Sequence, residues 1–355
     1  YASKYRVDPQ TGKNNYISVQ AEDELAAVGM AIGANWNGAR GFTATSGPGI
    51  SLMSEFLGLA YFAEVPLVIF NIQRGGPSTG MPTRTQQSDI LSCAYASHGD
   101  TKHVLLFPED PQECFEFSAE AFNLAERLQT PVFVISDLDI GMNDWVTDKF
   151  EWDDEQKYDR GKVLKAEDLD KMDNFGRYLD VDDDGICYRT YPGTHPEKGA
   201  FFTRGTSHDE YARYTENGDI NEQTLTRLVK KFRTASELVP DPIINLSEKQ
   251  GSSGVIFYGS TSAAMYEAKD ILNDNNIEVD LMRIRSFPFN LDVWEFIENH
   301  DLIYVIEQNR DSQMRTLIMA EGGISAEKLR SLVWFNGDPI QAKFIAKKIY
   351  ERESQ

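Results

Sequence analysis

Short apolar runs alternating with helical stretches constrain this chain more than any other feature. GFTATS (41–46), PLVIFNI (66–72), HVLLF (103–107) and PVFVISD (131–137) are brief, rich in Val, Ile and Phe, and bounded by Gly, Pro or polar residues, the marks of buried strands. Helical patterns over 49–63 and 111–128 separate them. Strand–helix alternation predicts a parallel sheet covered on both faces. A second block repeats the theme with GVIFYGS (254–260), SAAMYEAKDILNDN (262–275), VDLMRIR (279–285), DLIYVIE (301–307) and SLVWFNG (331–337), and closes on the helical QAKFIAKKIYERE. The expected fold class is therefore α/β, with two doubly wound open-sheet domains at 1–144 and 251–355. The intervening 145–250 is rich in Asp, Glu, Gly, Tyr and Pro, and only 221–236 looks helical. It reads as an irregular acidic connection, either an interaction arm or a solvated excursion.

Charge narrows the partners. Lys+Arg 35 against Asp+Glu 56 gives a formal net charge of -21, which repels nucleic acid and anionic membrane. Cys93, Cys114 and Cys187 are scattered without a CxxC pair. That spacing suits no zinc or iron–sulfur site in this chain, and it fits a reducing cytoplasm. No signal peptide and no bilayer-spanning apolar run is evident.

The stretch VQAEDELAAVG (19–29) sets Glu22, Asp23 and Glu24 in a row before small apolar residues. Residues 21–37 read as a helix, and its dipole favours acids in the first turn. Leu25, Ala26, Ala27, Val28, Gly29 and Ala31 make that helix apolar nearly all round, which predicts burial. A buried carboxylate must be paired or carry a raised pKa. On these residues alone the choice among the three acids stays open. Downstream, the strand ends in Thr45-Ser46-Gly47-Pro48-Gly49 before another helix. Glycines there leave room for a phosphate or for close packing.

After the strand PLVIFNI comes QRGGPSTGMPTRTQQSD (73–89), a polar loop with Arg74, Ser78, Thr79 and Arg84. Open α/β sheets hold ligands at the carboxyl ends of their strands, and a guanidinium fork matches a carboxylate bidentately. Arg74, one residue past the strand, is the stronger candidate, and Arg84 the second.

The unit E-x-x-x-A-A-x-x-M-A-x-G, strand, T-S-G-P-G resembles the pyrimidine-binding domain of thiamin diphosphate enzymes. RGGPSTGMPTRTQQSDI (74–90) narrows the likeness: it resembles the alpha subunit of 2-oxoacid:ferredoxin oxidoreductases, especially the 2-oxoglutarate type. RGKVL, GRYLDVDDDGI, YRTYPGTHPEKGAFFTRGTSHDEYARY and VIEQNRDSQMR extend it over nearly the whole chain. The block at 251–350 then corresponds to a transketolase C-terminal-like domain II.

The resemblance implies a glutamate on N1′ of the cofactor aminopyrimidine, sharing a proton with it. Aligned on TSGPG, that glutamate falls on Glu22, with Thr45, Ser46, Gly47, Pro48 and Gly49 as further cofactor contacts. It also implies Arg74 on the substrate carboxylate and the loop 75–88, with Ser78, Thr79 and Arg84, as pocket wall. The implied reaction is 2-oxoacid plus CoA to acyl-CoA and CO₂, with electrons passed to ferredoxin. A beta subunit would hold the diphosphate, Mg²⁺ and a [4Fe–4S] cluster, in a cytoplasmic bacterial or archaeal complex with a second alpha–beta unit. A gamma domain or subunit belongs to some such complexes. The family's YPIT-P motif, whose Thr contacts substrate, is missing from a sequence that starts YASKYR, so the first domain is expected to lack its first strand. The same chemistry on pyruvate or branched-chain oxoacids, or a non-catalytic scaffold keeping the fold, are the alternatives.

Asp180, Asp182 and Asp184 before Gly185 form the first half of a calcium loop, but Tyr191 stands where an EF-hand needs Glu. They are candidate metal ligands, against an Asp-turn with no ion. His195 and His208 lack metal-ligand spacing, and no G-x-S-x-G elbow supports a Ser–His–Asp triad. Glu307, Asn309 and Gln313 follow a strand, where the resemblance implies subunit contacts.

Overall fold

Burial on both faces decides the strands. In the computed structural model, which describes residues 2–153, 155, 157–247 and 253–353, PVFVISD is buried at every position. The chain opens with the short helix α1 (Ala2–Tyr5), then α2 (Glu24–Trp36), β1 (Phe42–Thr45), α3 (Gly47–Phe62) and β2 (Leu67–Gln73). It continues through α4 (Ile90–Ala94), β3 (Val104–Leu106), α5 (Pro111–Leu128), β4 (Pro131–Asp137) and α6 (Leu138–Met142). Strands β1, β2, β4 and β3 lie in that order and are parallel. Helix α5 shows why local chemistry agrees: the Asp110 carboxylate accepts from the Glu113 amide at 2.8 Å as N-cap, and Pro111 occupies the first turn.

Between the blocks lie α7 (Ala166–Asp170) and α8 (Gly218–Ser236). The second block is β5 (Ile243–Asn245), β6 (Ser253–Tyr258), α9 (Thr261–Asp274), β7 (Asp280–Ile284), β8 (Ser286–Phe287), α10 (Leu291–Glu298), β9 (Leu302–Glu307), α11 (Gln313–Gly322), β10 (Leu329–Val333) and α12 (Ala342–Glu353). Its sheet runs β10-β9-β6-β7-β5, parallel except for the edge strand β5. Two strands cross the expected boundaries. β5 lies within 145–250 yet joins the second sheet, and β8 pairs antiparallel with β3 of the first, Leu105 opposite Phe287.

The acidic stretch is irregular in backbone but tied down by ion pairs. Buried Glu126 meets Arg189 at 2.7 Å and Arg160 at 3.0 Å. Glu64, after α3, meets Arg227 at 2.5 Å and Lys231 at 2.9 Å, both on α8. Phe201 packs edge-on against Trp36, centroids 5.0 Å apart, and His208 stacks on Tyr178 at 3.7 Å. Burial pushes the His208 pKa down. Among the described residues no helix is long and apolar enough to cross a membrane.

The expected metal loop is different. Asp180 accepts the backbone amides of Asp184 and Gly185 at 3.2 and 3.0 Å. Lys162 reaches Asp182 at 2.7 Å and Asp184 at 2.8 Å, and Lys230 reaches Asp180 and Asp183. Lysine ammonium groups thus hold the carboxylates that were candidates for a cation. No group of His, Cys, Asp and Glu fit to hold a metal occurs among the described residues. His195 accepts the Lys198 amide at 2.9 Å and faces Asp170, a local structural role.

Candidate active site

The site forms where β1 and β2 end side by side, with Thr45 opposite Asn71. Helix α3 starts directly after β1. Its N-cap Ser46 makes no side-chain cap, and Pro48 lies in the first turn. The Ser46 hydroxyl instead accepts from Arg74 Nε at 3.0 Å. Arg74, half-buried at the end of β2, enters no ion pair among the described residues, so its outer guanidinium nitrogens remain available to an anion.

The glycines of TSGPG serve close packing. A Cβ on Gly49 would collide with Thr45 Oγ1 and lie 2.8 Å from Glu24 Cγ. One on Gly47 would lie 2.5 Å from Asp89 Oδ1. The turn is therefore enclosed by Glu24 on one side and Asp89 on the other. Asp89 Oδ2 accepts from Asn71 Nδ2 at 3.1 Å, and its backbone amide donates to Gln73 Oε1 at 2.9 Å. Burial raises the Asp89 pKa, opposed by Asn71, the Gly47 amide and the more distant charge of Arg74.

This geometry separates the acids differently from alignment. Helix α2 begins at Glu24, and Asp23 is its N-cap, accepting the Ala26 amide at 2.8 Å. Glu22 precedes the cap and is exposed, while Glu24 is half-buried and touches the turn. Nor is the helix enclosed all round: Val28, Ala31 and Ile32 are buried, but Leu25 and Met30 are 43% and 51% exposed. Its small residues serve close approach to α3, since a Cβ on Gly29 would lie 3.3 Å from Phe56 Cζ.

The loop after β2 folds on itself, with Gly75 donating to Arg84 O at 2.8 Å and Met81 to Gly75 O at 3.1 Å. Ser78 and Thr79 lie at its exposed tip. Arg84 pairs with Asp338 of the second domain at 3.0 Å, in the open, so it is engaged away from the turn that holds Arg74. The loop's far end is clasped by the second domain. Gln87 donates its amide to Gln308 O at 2.8 Å and accepts from Asn309 at 3.0 Å. Its side chain reaches Asp137, at the end of β4, at 3.2 Å. Glu307 accepts the Met314 and Arg315 amides at 2.7 and 3.1 Å, and Gln313 binds Leu91 and Ser88. Gln87, Asn309 and Gln313 join the two domains within this chain, while Glu307 braces the start of α11. Asp89, Asn71 and Gln87 were not singled out from sequence. Their signal was the pair of amides inside the apolar strand LVIFNIQ and the polar run that follows.

A model of the family described as "Pyruvate flavodoxin/ferredoxin oxidoreductase, thiamine diP-bdg" matches residues 4–234. The chain belongs to this family. Among its relatives, 2-oxoacid:ferredoxin oxidoreductase 1, subunit alpha, of Sulfurisphaera tokodaii is 35% identical over 342 residues, covering 94% of this chain and 52% of the relative. The 2-oxoglutarate synthase subunit KorA of Methanothermobacter thermautotrophicus is 34% identical over 304 residues, covering 82% and 76%. The solved 2-oxoglutarate:ferredoxin oxidoreductase from Magnetococcus marinus, with 2-oxoglutarate, coenzyme A and succinyl-CoA bound, superposes with TM-score 0.79 at 28% identity over 94% of this chain and 56% of its own. The chain thus spans about half the length of the 2-oxoacid:ferredoxin oxidoreductase alpha subunits it matches.

The residues present fit the pyrimidine end of thiamin diphosphate, the cofactor of that family description. A carboxylate, Glu24, stands beside a turn whose glycines are stripped of side chains and whose backbone closes tightly on Thr45.

Proposed function

We propose that this chain is the alpha subunit of a thiamin diphosphate-dependent 2-oxoacid:ferredoxin oxidoreductase acting on 2-oxoglutarate. Half-buried Arg74, held by Ser46 and free of an ion pair among the described residues, carries the reading. It offers a bidentate partner to a substrate carboxylate next to the cofactor-side turn. Thiamin diphosphate, when bound, supplies the electron sink for decarboxylation of the oxoacid. Glu24, in preference to Glu22, accepts and returns the proton of the aminopyrimidine N1′, because its Cγ packs by Gly49 of the turn while Glu22 is exposed. Ser46 orients Arg74, Asp89 closes the back of the turn, and the loop 75–88 with Ser78 and Thr79 covers the substrate side.

In this reading a beta subunit holds the diphosphate, Mg²⁺ and a [4Fe–4S] cluster, CoA accepts the acyl group and ferredoxin takes the electrons; the relatives' names, which include subunit alpha, ferredoxin and coenzyme A, support the multi-subunit part of it. Leu25 at the start of α2 and Leu52 in the second turn of α3 are exposed apolar residues, and they suit a partner chain that completes the site. A second alpha–beta unit, a gamma portion and a cytoplasmic setting belong to the same reading.

The test is anaerobic ferredoxin reduction by the assembled complex with CoA and a panel of oxoacids. The expected result is 2-oxoglutarate preferred at least tenfold in kcat/KM over pyruvate and branched-chain oxoacids. A complex that reduces ferredoxin with none of them overturns the assignment, and a preference for pyruvate corrects the substrate.

A further inference from the structure

Asp89 sits at the one place where the substrate-side and cofactor-side elements meet. It ends the polar loop that begins at Arg74 and precedes α4. Its carboxylate packs on the backbone of Gly47, where even a Cβ would lie 2.5 Å from Oδ1. Its other oxygen is held by Asn71 Nδ2, in the last turns of β2, and its amide by Gln73 Oε1. A carboxylate behind the first amides of α3 is favoured there by the helix dipole. The same turn carries Ser46, whose hydroxyl is the described anchor of Arg74. Displacing Asp89 therefore releases the turn, the turn releases Ser46, and Ser46 releases the guanidinium.

We propose that Asp89 is a positioning residue that locks Arg74 and the Ser46–Gly47 turn into a single unit. This rests on the function proposed above. It acts through Gly47 and Ser46, so its effect is on binding geometry for substrate and cofactor alike. Asn71 is the reciprocal partner: an amide donor to a carboxylate acceptor, a pairing that survives exchange of the two side chains.

The assembled complex tests this with Asp89→Asn, the exchange Asn71→Asp with Asp89→Asn, and Arg74→Ala. Asp89→Asn leaves one acceptor oxygen where there were two, so either Asn71 Nδ2 or the Gly47 amide loses its partner. It is expected to raise KM for 2-oxoglutarate about tenfold, the scale of one charged hydrogen bond. It is also expected to weaken thiamin diphosphate binding, read by calorimetry on cofactor-depleted complex, on the order of threefold. The exchange variant should bring both constants back to within about twofold of wild type. If Asp89→Asn does not fold, the exchange variant alone decides: wild-type constants uphold the role and raised ones overturn it. A fall in kcat with both binding constants unchanged, or no rescue by the exchange, also overturns it. Arg74→Ala distinguishes the failures. If it leaves KM for 2-oxoglutarate unchanged, the substrate arginine is misassigned and this proposal falls with it. If it raises KM while Asp89→Asn does not, only the role of Asp89 is wrong.

Discussion

Glu24→Gln against Glu22→Gln is the sharpest test of the site, because the two acids are two positions apart and structurally unlike. Glu24 is the first residue of α2 and packs by Gly49, whereas Glu22 lies outside the cap, exposed. Glutamine keeps the shape of glutamate, so the Glu24 substitution preserves the packing against Gly49 and the Asp23 cap on the Ala26 amide. What it removes is the ability to take and return a proton. A positioned acid–base group contributes about 10²–10⁴ in rate, equivalent to roughly 3–5 kcal/mol of barrier. The expected outcome is therefore a loss of at least a hundredfold in kcat for Glu24→Gln, measured by anaerobic ferredoxin reduction in the assembled complex. Glu22→Gln should stay within about twofold, as an exposed substitution remote from contacts does. Both variants should melt within a few degrees of wild type. Hundredfold loss in Glu22→Gln with turnover kept in Glu24→Gln would refute the geometric argument and restore the motif alignment. Near-full turnover in both variants would favour a scaffold role for the chain.

Two further outcomes follow from the ion pairs. Glu64 is fully buried between Arg227 and Lys231, and although burial opposes its ionisation, those cations hold its pKa well below the usual carboxylate range. Glu64→Gln leaves both cations unpaired and should cost about 3–5 kcal/mol, read as a fall in Tm on the order of 10 °C. A depressed folded-state pKa means the stabilisation is complete above the unfolded value of about 4.3 and is lost as pH falls below it. Acid melting of wild type should therefore be steeper than that of Glu64→Gln, and parallel curves would sink this account. In the Asp180 loop, millimolar calcium should leave Tm within about 1 °C, since Lys162 and Lys230 already hold its carboxylates. A saturable rise in Tm that Asp182→Asn abolishes would reinstate a metal there.

Alternation of apolar runs made both sheets legible, because a strand such as β4, buried at all seven positions, must be apolar throughout. The strands that were missed are those that obey no such pattern. Ser286–Phe287 is a two-residue strand whose pairing with Leu105 and Leu106 spans the domains. Ile243–Asn245 is exposed along its length at the sheet edge. The position of Arg74, one residue beyond a buried strand, was legible from the length of the apolar run. Gln87 was not, because an amide in a polar loop carries no local sign that it will contact the ends of β4 and β6 and the chain after β9.

At the acids of VQAEDELAAVG motif spacing and geometry point to different residues, Glu22 and Glu24. Motif spacing assumes that residues advance uniformly, but the chain changes conformation inside this stretch. Asp23 is extended, with φ -152° and ψ -179°, and regular helix begins only at Glu24. Residues before a cap advance at about 3.3 Å each and those after it at about 1.5 Å, so a displacement of two positions across the cap is a different direction as well as a different distance. Glu24, at the start of α2, lies against the start of α3, and the absence of a side chain at Gly49 lets the turn close on it. The same cap that gives Asp23 its structural task sets Glu24 against the turn, where the proposed chemistry needs a carboxylate, and the two positions are separated by a single peptide bond.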